Sequence, residues 1–148
     1  MTTFRVFTAA LLTTCAVSVA AAQSDSPQAQ RHMLMEEIGD STKVLGAMVK
    51  GETPYDTAKA QAALDVLIAN GKEFVTLFPE GSETGEDTRA LPAIWENWAD
   101  FEAHAAAMVD NAEAAKVAAD EGQEPFSVAF REVGGTCRAC HTDYRAEK

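Results

Sequence analysis

Residues 125–144 read PFSVAFREVGGTCRACHTDY, and apolar side chains recur through this stretch at helical spacing. A stripe of this kind predicts an amphipathic helix whose apolar face packs against other helices. Two cysteines and a histidine fall on the same face, so the stretch combines a helix with a group of reactive side chains. The residues that lie roughly in line are Phe126, Phe130, Val133, Cys137, Cys140, His141 and Tyr144.

Prolines predict where the helices begin. A proline fits the first helical turn because its missing N–H coincides with a donor that has no partner there. Pro27, Pro54, Pro92 and Pro125 stand at the starts of four segments with helical apolar spacing, and Ser26 is the expected N-cap of the first. The sequence therefore predicts four helices.

Glycines and one long loop separate these helices. Gly51 is expected to end the first helix, and Asn70-Gly71 is a candidate break in the second. Residues 78–91 have no apolar period and form the one long loop, after which the third helix runs to about Gly122. Short connections on either side of this loop force neighbouring helices to be antiparallel, so the predicted fold is all-α, an antiparallel four-helix bundle.

Composition and charge exclude several classes of protein. The 148 residues are 47% hydrophobic and 7% aromatic, with 12 Lys+Arg against 23 Asp+Glu and a net charge of −11. Phosphate backbones and anionic lipid headgroups repel such a surface, so we expect neither nucleic-acid nor membrane partners. A chain rich in Ala and Glu favours helix over sheet.

The first 22 residues have the layout of a secretory signal peptide. Arg5 is the one charge, an apolar stretch follows, and small residues end at Ala22. The stretch is short for a membrane anchor, and lipidation at Cys15 is disfavoured because bulky Thr14 precedes it. We predict that residues 1–22 are removed and that residues 23–148 form one exported domain.

Cys137, Cys140 and His141 form a C-x-x-C-H motif, the attachment signature of c-type haem. On a helix, the two cysteines project one turn apart towards the two vinyl groups at one porphyrin edge. His141 can then present a ring nitrogen to the iron from the same surface. The motif predicts one covalently attached haem c per chain with His141 as axial ligand.

Two alternatives remain for this motif. A C-x-x-C disulfide redox site normally lies at a helix start beside a strand, where the helix dipole lowers a thiol pKa. A zinc site would need further ligands, and only His32 and His104 are left among the histidines. Because few residues follow His141, any sixth iron ligand must come from another helix, and the first helix, with Arg31 and Met35, is the candidate.

The chain resembles the cytochrome c′ family, the class II c-type cytochromes, over nearly all of its mature length. The resemblance implies a periplasmic four-helix bundle that holds one haem c and is often a homodimer. The stretches that carry it are residues 31–35, 44–52, 54–56, 88–95, 133–141 and 144–145.

Site residues follow from this resemblance by position. It implies thioether bonds to Cys137 and Cys140, proximal ligation by His141, and a basic neighbour of that ligand at Arg145. Because Arg145 follows His141 by four residues, we expect both on the same face of the helix. Haem-edge contacts are implied for Arg31, His32 and Thr88, with Asp87 as an alternative to Thr88.

The predicted function depends on whether Met35 coordinates the iron. As a bulky residue that does not coordinate, it would leave a five-coordinate iron that binds small gases such as NO and CO, behind a distal wall made with Ile38. As a sixth ligand, it would make a low-spin electron carrier. We expect the first. We expect no enzymatic turnover, since no catalytic constellation is visible, and redox partners with a basic docking face.

Overall fold

The computed structural model describes residues 26–147, and the predicted signal peptide lies outside these residues. Four long helices make up the bundle, and one short helix precedes the third of them. The helices are α1 (Pro27–Val49), α2 (Thr57–Phe74), α3 (Ala93–Glu96), α4 (Trp98–Glu121) and α5 (Gln123–Tyr144), with a 3₁₀ turn at Val75–Leu77. The predicted all-α four-helix bundle is confirmed.

The ends of α1 follow local signals. The Ser26 side chain accepts a hydrogen bond from the Ala29 N–H, with Pro27 in the first turn. Gly51 stands just past the end of α1 with φ +72°, a left-handed conformation that glycine adopts without strain. Both predicted ends of the helix are therefore confirmed.

The predicted start of α2 at Thr53-Pro54 is wrong by three residues. The N–H groups of Glu52 and Thr53 both bond back to the Ala47 carbonyl, so these residues close α1. Asp56 caps α2 instead, because its extended backbone lets the side chain accept from the Lys59 N–H at 3.0 Å.

The candidate break at Asn70-Gly71 is absent, since α2 continues through both residues to Phe74. Asn70 is buried, and its side-chain amide donates to Glu37 Oε2 of α1 at 2.7 Å. Gly71 lies against α4 so closely that a Cβ there would come within 2.5 Å of Met108 Cε. Tertiary contacts thus hold Asn70 and Gly71 in the helix, although both residues locally disfavour a helix.

The third predicted helix is divided in two. Pro92 opens only the short α3, and Asn97 interrupts the helix with φ −126° and ψ 46°. The Asn97 carbonyl then accepts from the N–H groups of Asp100 and Phe101, which starts α4. The last helix begins at Gln123, ahead of the predicted Pro125.

The core has two parts. A long cluster runs between all four long helices and includes Leu45, Leu64 and Phe126. A second, aromatic cluster lies between the long loop, α3, α4 and the end of α5, and is built on Phe78 and Phe101. None of the helices described is long and apolar enough to cross a membrane.

Candidate haem site

The last two turns of α5 present Cys137, Cys140 and His141 to the interior of the bundle. All three side chains are partly buried, and both cysteines are free thiols. Cys137 packs against the long core cluster, whereas Cys140 packs against the aromatic cluster. The motif therefore lies where the two clusters meet.

These three residues share a cavity with side chains from three other helices. Most of its wall is apolar, with aromatic rings from α2 and α4 and a thioether from each of α1 and α4. The lining residues are Met35, Gly71, Phe74, Phe101, His104, Ala105, Met108, Thr136, Cys137, Cys140 and His141. The structure thus brings Met35 to the same cavity as His141, as the sequence predicted for the residue of α1.

The thiols do not have the character of a disulfide redox site. Burial raises the pKa of Cys137, and it raises the pKa of Cys140 to about 11, with smaller contributions from the charges of Cys137 and Asp143. A redox C-x-x-C needs a lowered thiol pKa at a helix N-terminus. This pair lies near the C-terminal end of α5.

The His141 imidazole is held in its neutral form. Its pKa is lowered by burial first, and then by the positive charges of Arg145 and Arg89. A neutral imidazole keeps the nitrogen lone pair that an axial iron ligand must supply. The local electrostatics therefore suit the predicted role.

Arg31 is buried but does not line the cavity. One guanidinium nitrogen donates to the Ser82 carbonyl at 2.7 Å and another lies 3.3 Å from Ser82 Oγ, while the guanidinium carbon stands 4.5 Å from the centre of the Phe78 ring. Burial lowers the pKa of this guanidinium. Arg31 thus borders the aromatic cluster that Cys140 also contacts, and it ties α1 to the long loop.

The other two implied haem-edge residues stand apart from the cavity. His32 is exposed, and its Nε2 lies 3.2 Å from Glu36 Oε1 on the outer face of α1. Thr88 is partly buried in the loop, where its hydroxyl accepts from the Ala90 N–H at 3.3 Å. Their contact with haem stays a prediction.

Arg145 is not on the helical face that the sequence predicted. Because α5 ends at Tyr144, Arg145 has extended backbone and forms an antiparallel bridge with Ala90. The Leu91 N–H donates to the Tyr144 carbonyl at 3.0 Å, and the Ala146 N–H donates to the Arg89 carbonyl at 2.9 Å. The side chain still influences His141 through its charge.

Arg89 is a site residue that sequence reasoning missed. One nitrogen donates to the Ala146 carbonyl, but its Nε is buried and is the one such side-chain atom without a partner in residues 26–147. The same guanidinium acts electrostatically on His141. The only signal in the sequence was its place next to Thr88 in the stretch that carries the resemblance.

Sequence reasoning also missed His104 as a residue of the haem cavity. It lines the cavity, and its Nε2 lies 3.5 Å from Asp100 Oδ2 and 3.9 Å from Asp143 Oδ2. Conversely, Ile38, expected in the distal wall, is buried in the long core cluster and does not line the cavity.

These observations fit haem c. The donor set offers two free thiols for thioether bonds and a neutral imidazole for the iron. The apolar walls suit a porphyrin face, and the unpartnered Arg89 Nε is a donor suited to an acidic edge group such as a propionate.

Comparison with known proteins agrees with the site. The profile of the family described as Cytochrome C′ matches residues 26–145. A cytochrome c-556 of Agrobacterium fabrum is 38% identical over 144 residues, covering 97% of each chain. The chain belongs to the cytochrome c′ family, and its cofactor is therefore covalently attached haem c.

Solved structures extend this likeness to the fold. Cytochrome c′ from Rhodopseudomonas palustris superposes with a TM-score of 0.80 at 36% identity, covering 84% of this chain and 99% of that one. A mutant cytochrome c′ from Alcaligenes xylosoxidans, solved as its nitric oxide complex, superposes with a TM-score of 0.74 at 30% identity, covering 83% and 98%.

Proposed function

We propose that this protein is a periplasmic haem protein whose iron is five-coordinate and binds the neutral gases NO and CO. The observation that carries the proposal is the cavity in which Met35, Phe74 and Phe101 accompany the C-x-x-C-H residues. A relative solved with nitric oxide bound supports the same reading.

The residues around the cavity would have different roles in holding the haem. Cys137 and Cys140 would hold the cofactor through thioether bonds, and the neutral His141 would supply the axial nitrogen. The rings of Phe74 and Phe101 make the wall of the cavity apolar, so an ion would lose its hydration there without compensation. When bound, the haem supplies an iron that can take a gas molecule and exchange one electron.

His104 is a polar residue of the cavity lining that could favour bound O₂ over NO and CO. Its Nε2 lies towards Asp100 and Asp143, within ion-pair distance of both carboxylates. A proton on this nitrogen is attracted to these carboxylates, which competes with donation to a bound gas. A cavity without a free donor discriminates against O₂, which is polarised when bound.

Met35 supports a rival reading, because it lines the same cavity as His141. If its thioether binds iron, the site is closed to gases and the protein is a low-spin electron carrier. Both roles are compatible with a half-buried methionine that packs against the core.

The deciding experiment is the optical spectrum of the ferrous holoprotein with and without CO. We expect a high-spin spectrum that changes on adding CO, both in the natural protein and in Met35→Leu, which keeps the bulk but cannot ligate. A low-spin spectrum insensitive to CO that becomes high-spin in Met35→Leu would establish Met35 ligation.

We also propose that the protein exchanges electrons with periplasmic proteins that have a basic docking face, since its own charge is −11. Association should weaken as salt is added, and association independent of salt would contradict this.

Export is tested by the N-terminal sequence of the purified protein, which should begin after Ala22. Purified protein should not turn over peroxide or NO.

We propose further that the protein is a homodimer. Exposed Met33 and Val44 on the outer side of α1 support an interface there, since they are 42% and 45% exposed. Sedimentation should show a dimer that Met33→Glu together with Val44→Glu dissociates. A monomeric natural protein would overturn the proposal.

A further inference from the structure

A groove runs along the outside of the bundle between α2 and α4. Its volume is about 420 Å³, and its apolar lining includes Val75 from the 3₁₀ turn after α2 and Val109 from α4. Lys72 borders the groove, where its ammonium lies 2.9 Å from a carboxylate oxygen of Glu113. The groove therefore has an apolar floor and charged residues along its rim.

This groove and the haem cavity lie back to back. Two residues, Gly71 of α2 and Ala105 of α4, line both of them. Glycine has no side chain and alanine has a single methyl group, so these two residues add little bulk between the groove and the cavity. The groove and the cavity are therefore separated here by two small residues.

The remaining part of the wall is a flexible side chain. A Cβ on Gly71 would come within 2.5 Å of Met108 Cε and 3.0 Å of Val109 Cγ2. Met108 belongs to the lining of the cavity and Val109 to that of the groove. Methionine has three rotatable bonds, so the Met108 methyl group can swing aside without movement of the helices.

We propose that neutral diatomic gases enter the haem cavity from this groove, between Gly71 and Ala105, with the Met108 side chain as the gate. The inference rests on the proposed gas-binding function and specifies its entry route. Ions are excluded because the passage offers them no polar partner for the hydration they would lose. A side chain larger than glycine at position 71 would block the gate from within.

The test uses CO binding kinetics of the holoprotein. Ala105→Leu adds three carbons to the shared wall, and Ala105→Val adds two if the larger variant folds poorly. A barrier in the route slows entry and exit alike, so we expect the association and dissociation rates both to fall about tenfold or more, with the equilibrium constant unchanged within about twofold. Ala103→Leu, the same substitution at an exposed position of α4 in neither lining, should leave both rates unchanged.

The outcomes separate the route from the function. If the natural protein binds CO but Ala105→Leu and Ala105→Val leave its rates unchanged, the route is wrong and the gas-binding function stands. A change in affinity through one rate only would place Ala105 in the binding site and overturn its role in a passage. If the natural protein binds no CO, both proposals fail.

Xenon gives a readout independent of the iron, because it occupies apolar spaces in proteins. In xenon-pressurised crystals of the natural holoprotein we expect xenon beside Val75 and Val109 and in the haem cavity. In Ala105→Leu the groove should keep its xenon, whereas the cavity should fill more slowly than in the natural protein and reach the same final occupancy. Absence of xenon from the groove of the natural protein would overturn the route.

Discussion

The Tyr144 hydroxyl donates a hydrogen bond of 2.5 Å to Asp100 Oδ2. This contact joins the last residue of α5, three residues after His141, to the first turn of α4. The His104 ring lies at 72° to the ring of the same tyrosine, with 5.8 Å between ring centres. Tyr144 thus fastens the end of the motif-bearing helix to the opposite side of the cavity.

Tyr144 should be hard to ionise. Its hydrogen bond to Asp100 and its burial raise its pKa to about 12. Because this folded pKa lies above the ordinary value of about 10, the stabilisation is full below pH ~10 and is lost as the pH rises through the folded pKa. Carbon-13 NMR of labelled tyrosine should show this titration, and Asp100→Asn should move it downwards.

Tyr55→Phe is the matched control, because it removes the only other tyrosine and leaves Tyr144 in place. Tyr144→Phe should lower the melting temperature at pH 7, and the difference from the natural protein should shrink as the pH rises past the folded pKa. A Tyr144 titration that is the same in the natural protein and in Asp100→Asn would contradict the assigned cause.

Each motif cysteine should carry one covalent bond to the haem. Cys137→Ser and Cys140→Ser should each retain haem on a denaturing gel through the remaining thioether, with a red-shifted haemochrome band from the unreacted vinyl group. The double substitution should release haem into acidified acetone. Haem that stays covalently bound in the double variant would contradict the assignment.

Glycine-to-alanine substitutions should have opposite effects in α1 and α2. Gly46→Ala meets no atom within 4 Å, so we expect stabilisation of about 0.5–1 kcal/mol from helix propensity alone. Gly71→Ala lets the flexible Met108 methyl group move aside but presses on the β-branched Val109, 3.0 Å away, so overpacking should destabilise by about 1 kcal/mol. Urea unfolding measures both, and equal effects at the two sites would show that α4 does not press on Gly71.

Arg89 should raise the reduction potential of the haem. Its charge acts on His141, and positive charge near the iron favours the reduced state. We expect Arg89→Gln to lower the potential in a spectroelectrochemical titration, while Arg138→Gln, exposed within the motif, changes it less. An equal shift in both variants would indicate a general charge effect with no special role for Arg89.

Much of the fold and the centre of the site could be predicted. The stripes of apolar residues predicted four helices, and the C-x-x-C-H spacing predicted the three residues that face the cavity. The start of α2 and the interruption at Asn97 could not be predicted, because Pro54 and Pro92 are compatible with several helix starts. The hydrogen bonds at Asp56 and Asn97 join residues three or four apart and are as local as those at the alternative starts, so the packing of the assembled bundle selects between them.

The sequence by itself determined what depends on neighbours along the chain: the helical period, the Ser26 cap, the turn at Gly51 and the haem-attachment motif. Only the tertiary structure decided what depends on distant partners. Arg31 meets Ser82 across 51 positions, and Arg89 meets Ala146 across 57. Such contacts leave no periodic trace in a sequence, because each partner is selected by the shape and charge of the packed interior.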